Sequence, residues 1–174
     1  DNAEVLEENN FGTTKKVAQA CIKSGSKLIT FSSTSVYGTN SNLVSEDCSI
    51  DELQPQSPYA KTKLKEEQFV NNLFNQGNIK VVTFRFGTIF GSSVGMRFHT
   101  AVNKFCWQAS MGQPITVWST AYDQKRPYLD LKDAVSAISF VIKKDIFDGK
   151  IYNVLTHNLT VRNITDTIKI FVPN

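Results

Sequence analysis

The sequence alternates helical patterns with short, continuous apolar runs, and this alternation restricts the folds that the chain can adopt. The clearest runs are residues 27–31 (KLITF) and 79–86 (IKVVTFRF), which are typical of parallel strands buried on both faces. Residues 3–24 and 58–76 form helical patterns before and between these runs. Helices that alternate with buried strands predict an α/β fold, a doubly wound parallel sheet covered by helices on both faces.

The start of the second helix holds the first candidates for chemistry. Ser57 is a suitable N-cap, Pro58 fits the first helical position, and Gly77 is a suitable C-terminal stop. Tyr59 and Lys63 are four residues apart and therefore share one face of the helix. An ammonium group beside a phenol favours the phenolate, which makes proton transfer possible near neutral pH. The alternative is that both side chains only cover a half-buried helix surface.

The same spacing occurs a second time, at Tyr128 and Lys132. These residues lie in the segment 126–134 (RPYLDLKDA), which alternates like a strand that runs into a turn. Four residues of a strand span about 13 Å, which is too far for the lysine to act on the tyrosine. We therefore retain only Tyr59 and Lys63 as candidates.

The composition is that of an ordinary globular protein and argues against several classes of function. Of the 174 residues, 41% are hydrophobic and 20% are charged, and the net charge of +3 comes from scattered basic residues. So small a charge does not indicate binding to nucleic acid or to an anionic membrane, and no apolar run reaches transmembrane length. Cys21, Cys48 and Cys106 have no metal-ligand spacing, which predicts a reduced, cytoplasmic setting and no metal site.

The rest of the chain continues the alternation less regularly, which predicts a smaller second lobe after residue 87. Ser32–Ser35 and Gly87–Gly91 follow the two buried strands, so we expect both to line one crevice, where such sheets bind ligands. We expect loops at 39–56 and 87–97, helices at 98–111, 133–142 and after Thr160, and extended segments at 115–118, 126–131 and 151–155.

Five motifs in order along the chain resemble those of a known enzyme family. The motifs are residues 9–13 (NNFGT), 30–38 (TFSSTSVYG), 57–63 (SPYAKTK), 84–91 (FRFGTIFG) and 126–134 (RPYLDLKDA). They resemble the extended short-chain dehydrogenases/reductases, and within them the NAD-dependent sugar epimerases and dehydratases, particularly UDP-hexose 4-epimerases. The resemblance implies a Rossmann-like fold, the cofactor NAD (with NADP left open), and a nucleotide-sugar substrate.

The resemblance also assigns roles to individual residues. Ser33, Tyr59 and Lys63 match the family's catalytic serine or threonine, tyrosine and lysine, and the same three residues adjoin the cofactor. Asn9 and Gly87 match further positions beside the cofactor. The positions that contact the nucleotide-sugar are matched by Ser33, Thr34, Thr88 and Arg126.

Simpler interpretations stay open for several of these residues. Ser33 could be a turn serine that bonds its own backbone, and Arg126 a solvated surface arginine. Asn9 could be an ordinary polar residue of its helix. Thr88 stands where the family often has asparagine, which leaves the phosphate contacts of the substrate open.

Two departures from the family pattern bear on the activity. In the family's 4,6-dehydratases an Asp-Glu pair follows the catalytic threonine, whereas Thr34 and Ser35 follow Ser33 here. This difference favours an isomerase over a dehydratase. The glycine-rich turn that binds the dinucleotide is also absent, because Gly87, Gly91 and Gly95 have the wrong spacing for it.

The resemblance therefore implies an incomplete enzyme. Residues 1–90 would be the C-terminal part of a dinucleotide-binding domain, and residues 91–174 mostly a substrate-binding lobe. The chain by itself is expected to bind NAD poorly and to be inactive. The favoured function of the whole is a UDP-hexose 4-epimerase. The alternatives are a nucleotide-sugar reductase or decarboxylase on the same scaffold, or a non-catalytic NAD-fold binding module.

The pattern of the second helix also predicts an assembly. Phe69 and Leu73 lie on the far side of the helix from Ala60 and Leu64, so the helix is apolar on two sides. A helix with two apolar sides must bury both of them. In the resembling family two helices of each subunit form a dimer interface, and the matching helices are residues 3–24 and 58–76. We therefore expect a homodimer. The alternative is that a part of the protein preceding residue 1 covers Phe69 and Leu73 within one chain.

Overall fold

The computed structural model of the chain describes residues 3–38 and 43–173. It divides into two compact units, one of residues up to Phe86 together with Ile138–Asn153, the other of Gly87–Ala137 together with the residues from Val154 onward. The main elements, in order, are α1 (Ala3–Ser24), β1 (Leu28–Ser33), α2 (Pro58–Asn75), β2 (Val81–Phe86), β3 (Thr88–Phe90), α3 (Ala101–Ser110), β4 (Arg126–Asp130), α4 (Leu131–Lys144), β5 (Ile151–Val154), β6 (His157–Leu159) and α5 (Val161–Phe171).

The first unit is built on a sheet with the strand order β1-β2-β5. β1 and β2 run parallel, in a register that pairs Leu28 with Val81 and Ser33 with Phe86. The central strand β2 is buried along Val81–Arg85, as its continuous apolar run predicts. β1 is less buried than predicted, since Phe31 is 45% exposed. The difference follows from its place at the edge of this sheet, with one neighbouring strand among the described residues.

The second helix begins where the sequence predicts. The Ser57 side chain accepts a hydrogen bond from the Ala60 N–H, and Pro58 occupies the first turn. Phe69 and Leu73 were predicted to face a partner subunit, but in the structure α1 of the same chain lies beside them. The Phe69 ring meets Phe11 of α1 edge-on at 5.6 Å, and both Phe69 and Leu73 pack on a buried cluster. That cluster consists of Ala18, Leu28, Val70, Ile79 and Val81.

The second unit contains a separate small sheet with the order β3-β4-β6. β3 pairs parallel with β4, and β4 pairs antiparallel with β6. Helices α3 and α5 contribute to its core, in which the buried residues are Phe105, Ala109, Tyr128, Val161, Ile164 and Ile168.

The structure corrects three of the segments expected after residue 87. The loop expected at 87–97 contains strand β3, and strand β6 was not anticipated. Residues 115–118 do not form the expected strand, although Ile115 and Val117 do pack against the core of the second unit. Each error concerns three or four residues, for which pairing with distant parts of the chain decides the structure. Part of the loop expected at 39–56 lies outside the described residues.

Candidate active site

Tyr59 and Lys63 lie on the first two turns of α2, as the spacing predicts. Lys63 Nζ lies 5.9 Å from the centroid of the Tyr59 ring, at the outer limit of a cation–π contact. The tyrosine is 41% exposed, whereas the lysine is only partly accessible. The pair therefore presents an accessible phenol next to a shielded positive charge.

A buried carboxylate holds the lysine in place. Glu66 Oε2 accepts hydrogen bonds from Lys63 Nζ at 3.1 Å and from Thr14 Oγ1 of α1 at 2.9 Å. The other carboxylate oxygen of Glu66 is buried without a hydrogen-bond partner among the residues that the structure describes. Sequence reasoning assigned Glu66 no role in the site. The available signal was its position one turn after Lys63, where a carboxylate can reach the ammonium.

Ser33 ends β1 and begins a short 3₁₀ turn, Thr34–Tyr37. We call Ser33–Tyr37 the serine turn. The Ser33 hydroxyl accepts a hydrogen bond from the Ser35 N–H at 3.2 Å, and Thr34 Oγ1 donates to the Phe86 carbonyl at 3.3 Å. The serine turn and β1 both pack against α2, which brings Ser33 to the helix that carries Tyr59 and Lys63. Ser33 thus makes the backbone contact of a turn serine, but a hydroxyl that accepts one bond keeps its own proton to donate.

Sequence reasoning missed a buried polar network behind these residues. Arg85 of β2 forms two hydrogen bonds with Glu67 of α2, from Nε at 2.9 Å and from Nη2 at 2.7 Å. Its Nη1 donates to the Tyr37 hydroxyl at 2.9 Å, and that hydroxyl donates to Asn153 Oδ1 at 2.9 Å. The signal in the sequence was an arginine inside an apolar strand, which requires a buried partner.

The charge states of this network follow from its surroundings. Burial alone would lower the pKa of Arg85. The hydrogen bonds and the charge of Glu67 outweigh this effect, so the pKa of Arg85 lies above its ordinary value. Burial raises the pKa of Tyr37, against the opposing hydrogen bond and charge of Arg85. The raised pKa values mean that Arg85 is cationic and Tyr37 is neutral near neutral pH.

Asn9 lies on α1, in the same unit as Ser33, Tyr59 and Lys63, and is exposed. Its carbonyl accepts a hydrogen bond from the hydroxyl of Thr13. Its role beside a cofactor stays a prediction from the resemblance.

The remaining candidates belong to the second unit. Gly87 is buried, and a Cβ at this position would lie 3.0 Å from the Pro127 carbonyl oxygen. This close approach is sufficient to explain why a glycine occupies position 87. Thr88 is exposed on β3, in register with Tyr128 of β4. Arg126 is exposed at the start of β4, where its Nη2 donates to Gln124 Oε1 at 2.8 Å.

The described parts of the chain contain neither a metal-binding cluster nor a helix that could span a membrane. Residues 3–38 and 43–173 bring no three His, Cys, Asp or Glu side chains into an arrangement that could hold a metal ion. None of the helices in these ranges combines the length and the apolar character that crossing a membrane requires.

Comparison with known proteins places the chain in a family. Residues 1–154 match the family described as the NAD dependent epimerase/dehydratase family. An uncharacterised UDP-glucose epimerase of Bacillus subtilis, YtcB, is 30% identical over 149 residues, which cover 84% of this chain and 45% of the relative. The chain thus spans about half the length of this relative.

Solved structures show the same fold. A UDP-glucuronic acid 4-epimerase from Bacillus cereus, solved with NAD and a fluorinated UDP-sugar, has a TM-score of 0.82 at 24% identity. The match covers 95% of this chain and 52% of that one. The dTDP-glucose 4,6-dehydratase DesIV from Streptomyces venezuelae, solved with NAD, has a TM-score of 0.82 at 21% identity, covering 97% of this chain and 51% of that one. The chain belongs to the NAD-dependent epimerase/dehydratase family, and its parallel α/β fold is Rossmann-like.

Proposed function

We propose that the complete protein is a nucleotide-sugar epimerase, similar to UDP-hexose 4-epimerases, that acts by transient oxidation of a sugar hydroxyl. One observation carries the proposal. The serine turn packs against the helix that bears Tyr59 and Lys63, and the two residues directly after Ser33 carry no carboxylate. The similarity to the UDP-glucose epimerase YtcB supports the same reaction class.

The side chains present have the properties that this reaction needs. Tyr59 takes the proton from the sugar hydroxyl, and the Lys63 ammonium stabilises the phenolate. Ser33 donates a hydrogen bond to the reacting oxygen while it accepts one from the Ser35 N–H. NAD, when bound, supplies the acceptor for the hydride that leaves the sugar carbon and later returns to its other face. Tyr59 returns the proton when the alcohol is formed again.

The residues present fit one end of NAD. Lys63 has three N–H donors, and its contact with Glu66 leaves others for ribose hydroxyls, while Tyr59 is accessible beside it. The chain contains no glycine-rich turn between a strand and a helix for the pyrophosphate. We infer that the chain supplies contacts to the nicotinamide end of NAD, and the resemblance adds Asn9 and Gly87 to these contacts. NAD is preferred over NADP because the family is NAD-dependent.

The serine turn also favours an isomerase over a dehydratase. Loss of water from the sugar requires an acid to protonate the leaving hydroxyl. Thr34 donates its proton to the Phe86 carbonyl, and Ser35 is exposed, so neither residue replaces the acid pair of the dehydratases. The fold matches epimerases and dehydratases equally well, so this local difference decides our proposal.

The resemblance to the family supplies the proposed substrate contacts. Ser33 and Thr34 contact the sugar, and Thr88 and Arg126 contact the diphosphate. The guanidinium of Arg126 is exposed, and its planar fork suits phosphate oxygens. These contacts rest on the resemblance to the family, whereas a cytoplasmic location is proposed from the number and spacing of the three cysteines.

A homodimer through α1 and α2 also rests on the resemblance alone. Phe69 and Leu73, which supported it in the sequence, are packed within one chain. Sedimentation of the complete protein measures its oligomeric state, and a monomer would contradict the proposed homodimer.

The decisive experiment assays the complete protein with UDP-glucose and UDP-galactose. We expect epimerisation without net release of NADH, and a loss of about 100-fold or more in Tyr59→Phe, the usual effect of removing a proton-transfer group. Tyr152→Phe is the matched control, because Tyr152 bonds only Asp148 at 2.9 Å among the contacts described and has no proposed role.

The outcomes separate the alternatives. Full turnover in Tyr59→Phe contradicts the mechanism. Net formation of NADH or consumption of NADPH indicates a reductase or decarboxylase, and loss of water from the sugar indicates a dehydratase. Binding of a nucleotide-sugar without any turnover indicates a non-catalytic module.

A further inference from the structure

The buried network around Arg85 joins four separate segments of the first unit. Arg85 lies on β2 and is 2% exposed, and its partner Glu67 lies on α2 and is 4% exposed. Tyr37 ends the serine turn, and Asn153 lies on β5. The guanidinium also stacks on the Tyr37 ring, with 4.8 Å between Cζ and the ring centroid.

A buried ion pair such as Arg85–Glu67 contributes little to the stability of a fold. Removing both charges from water costs several kcal/mol per ion, and the attraction between them often does no more than offset this cost. Apolar side chains of similar size are often neutral or stabilising in place of a buried ion pair. The Arg85–Glu67 pair instead constrains geometry, because its two parallel N–H···O bonds fix both the distance and the angle between α2 and β2.

The fixed segments are those that carry the candidate catalytic residues. Glu67 lies one helical turn after Lys63, so its bond to Arg85 fixes the rotation of α2 about its axis. Arg85 is in register with Ser32, the neighbour of Ser33. The bond from Arg85 to Tyr37 then anchors the far end of the serine turn.

We propose that Glu67, Arg85 and Tyr37 are positioning residues of the active site, which hold the serine turn and the start of α2 at the spacing that catalysis requires. The catalytic part of this inference rests on the proposed function. The positional part does not, because it concerns how two segments of the first unit are held. None of the three residues needs to touch the substrate or the cofactor.

The test replaces the ion pair with apolar residues in the complete protein, as Glu67→Met/Arg85→Met. The matched control is Thr30→Val/Thr83→Val, which replaces a different polar pair, one that joins β1 to β2 with hydroxyl oxygens 2.8 Å apart. Three quantities are measured for each variant: the midpoint of thermal unfolding, kcat and KM for the nucleotide-sugar, and amide hydrogen exchange. The reporter amides are Ser35, which donates to Ser33 Oγ, and Gly38, which donates to the Ser35 carbonyl.

We expect the methionine variant to unfold within a few degrees of the unmodified protein, as buried pairs replaced by apolar residues often do. Exchange at Ser35 and Gly38 rises about 10-fold or more, because the serine turn opens locally more often. In the same variant kcat falls about 100-fold, the effect of an ångström-scale misplacement, with KM changed much less. The threonine control changes none of these quantities.

Protected reporter amides together with an unchanged kcat in a folded methionine variant would overturn the proposal. If the unmodified protein proves to have no epimerase activity, the exchange measurement still decides the positional part. If the methionine variant does not fold, Tyr37→Phe replaces it. That variant keeps the Arg85–Glu67 pair and removes only the hydroxyl, so faster exchange confined to the serine turn supports the proposal and unchanged exchange refutes it.

Discussion

Tyr128 offers a test of burial at the scale of one residue. It is 3% exposed, and burial raises the pKa of its phenol above 10, against the opposing charge of Arg126. Because the folded state holds the proton more tightly, stability is fully present below the unfolded-state pKa of about 10. It falls as the pH rises from there through the higher folded-state pKa.

The relevant range is about pH 9 to pH 11, around the phenol pKa of about 10. Over this range we expect the unfolding free energy of Tyr128→Phe to fall less than that of the unmodified protein, because phenylalanine has no proton to release. Urea unfolding at several pH values measures the difference. Tyr122→Phe is the control, because Tyr122 is less buried. Parallel pH dependence of the Tyr128→Phe and unmodified proteins would contradict the raised pKa of Tyr128.

Single residues in this chain differ in how far the sequence reveals their roles. Ser57, Tyr59 and Lys63 could be placed from local rules, because capping and helical spacing involve neighbours a few residues away. Glu67 and Arg85 could not be paired in this way, since 18 positions and a turn separate them. The sequence shows that Arg85 needs a buried partner, but only the packing of α2 on β2 identifies that partner.

At the scale of elements, the long segments were predictable and the short ones were not. α1, α2, β2 and α5 have strong periodicity, continuous apolar runs or clear caps, and each is observed close to its expected bounds. β3 and β6 have three residues each, and their pairing with β4 depends on contacts that no local pattern records. The same holds for the packing of α1 over Phe69, which the sequence alone assigned to a partner subunit.

The junction between α2 and the turn before β5 gives a second test. Gly149 has a φ of 75°, and a Cβ at this position would lie 2.3 Å from the Phe74 ring at the end of α2. Gly25 has a similar φ of 67°, but open space surrounds its Cβ position. Gly25→Ala should therefore cost about 1–2 kcal/mol from backbone strain alone.

Gly149→Ala should cost about 1–3 kcal/mol more than Gly25→Ala, because the helix end or the turn must move to relieve the contact with Phe74. Urea unfolding of the two alanine variants measures this difference. Equal losses in the two variants would show that Phe74 moves aside freely and that the turn does not fix the end of α2.

At the scale of the whole molecule, the length of the chain relative to a family member bears on how it binds NAD. The chain spans 45% of the length of YtcB, and its sequence contains the motifs around Ser33 and Tyr59 without a glycine-rich phosphate turn. Backbone N–H groups at such a turn supply much of the binding of a dinucleotide pyrophosphate. We therefore expect NAD to bind the complete protein and to bind the chain of 174 residues only weakly.

Thermal unfolding with and without NAD measures this expectation, because a ligand stabilises only the folded state that binds it. At a concentration 100 times the dissociation constant, the unfolding free energy rises by about 2.7 kcal/mol. We expect a shift of this order for the complete protein and almost none for the chain alone at the same NAD concentration. An equal shift in unfolding free energy for both proteins would contradict this expectation. It would mean that residues of this chain bind the pyrophosphate without a glycine-rich turn, in addition to the nicotinamide end of NAD.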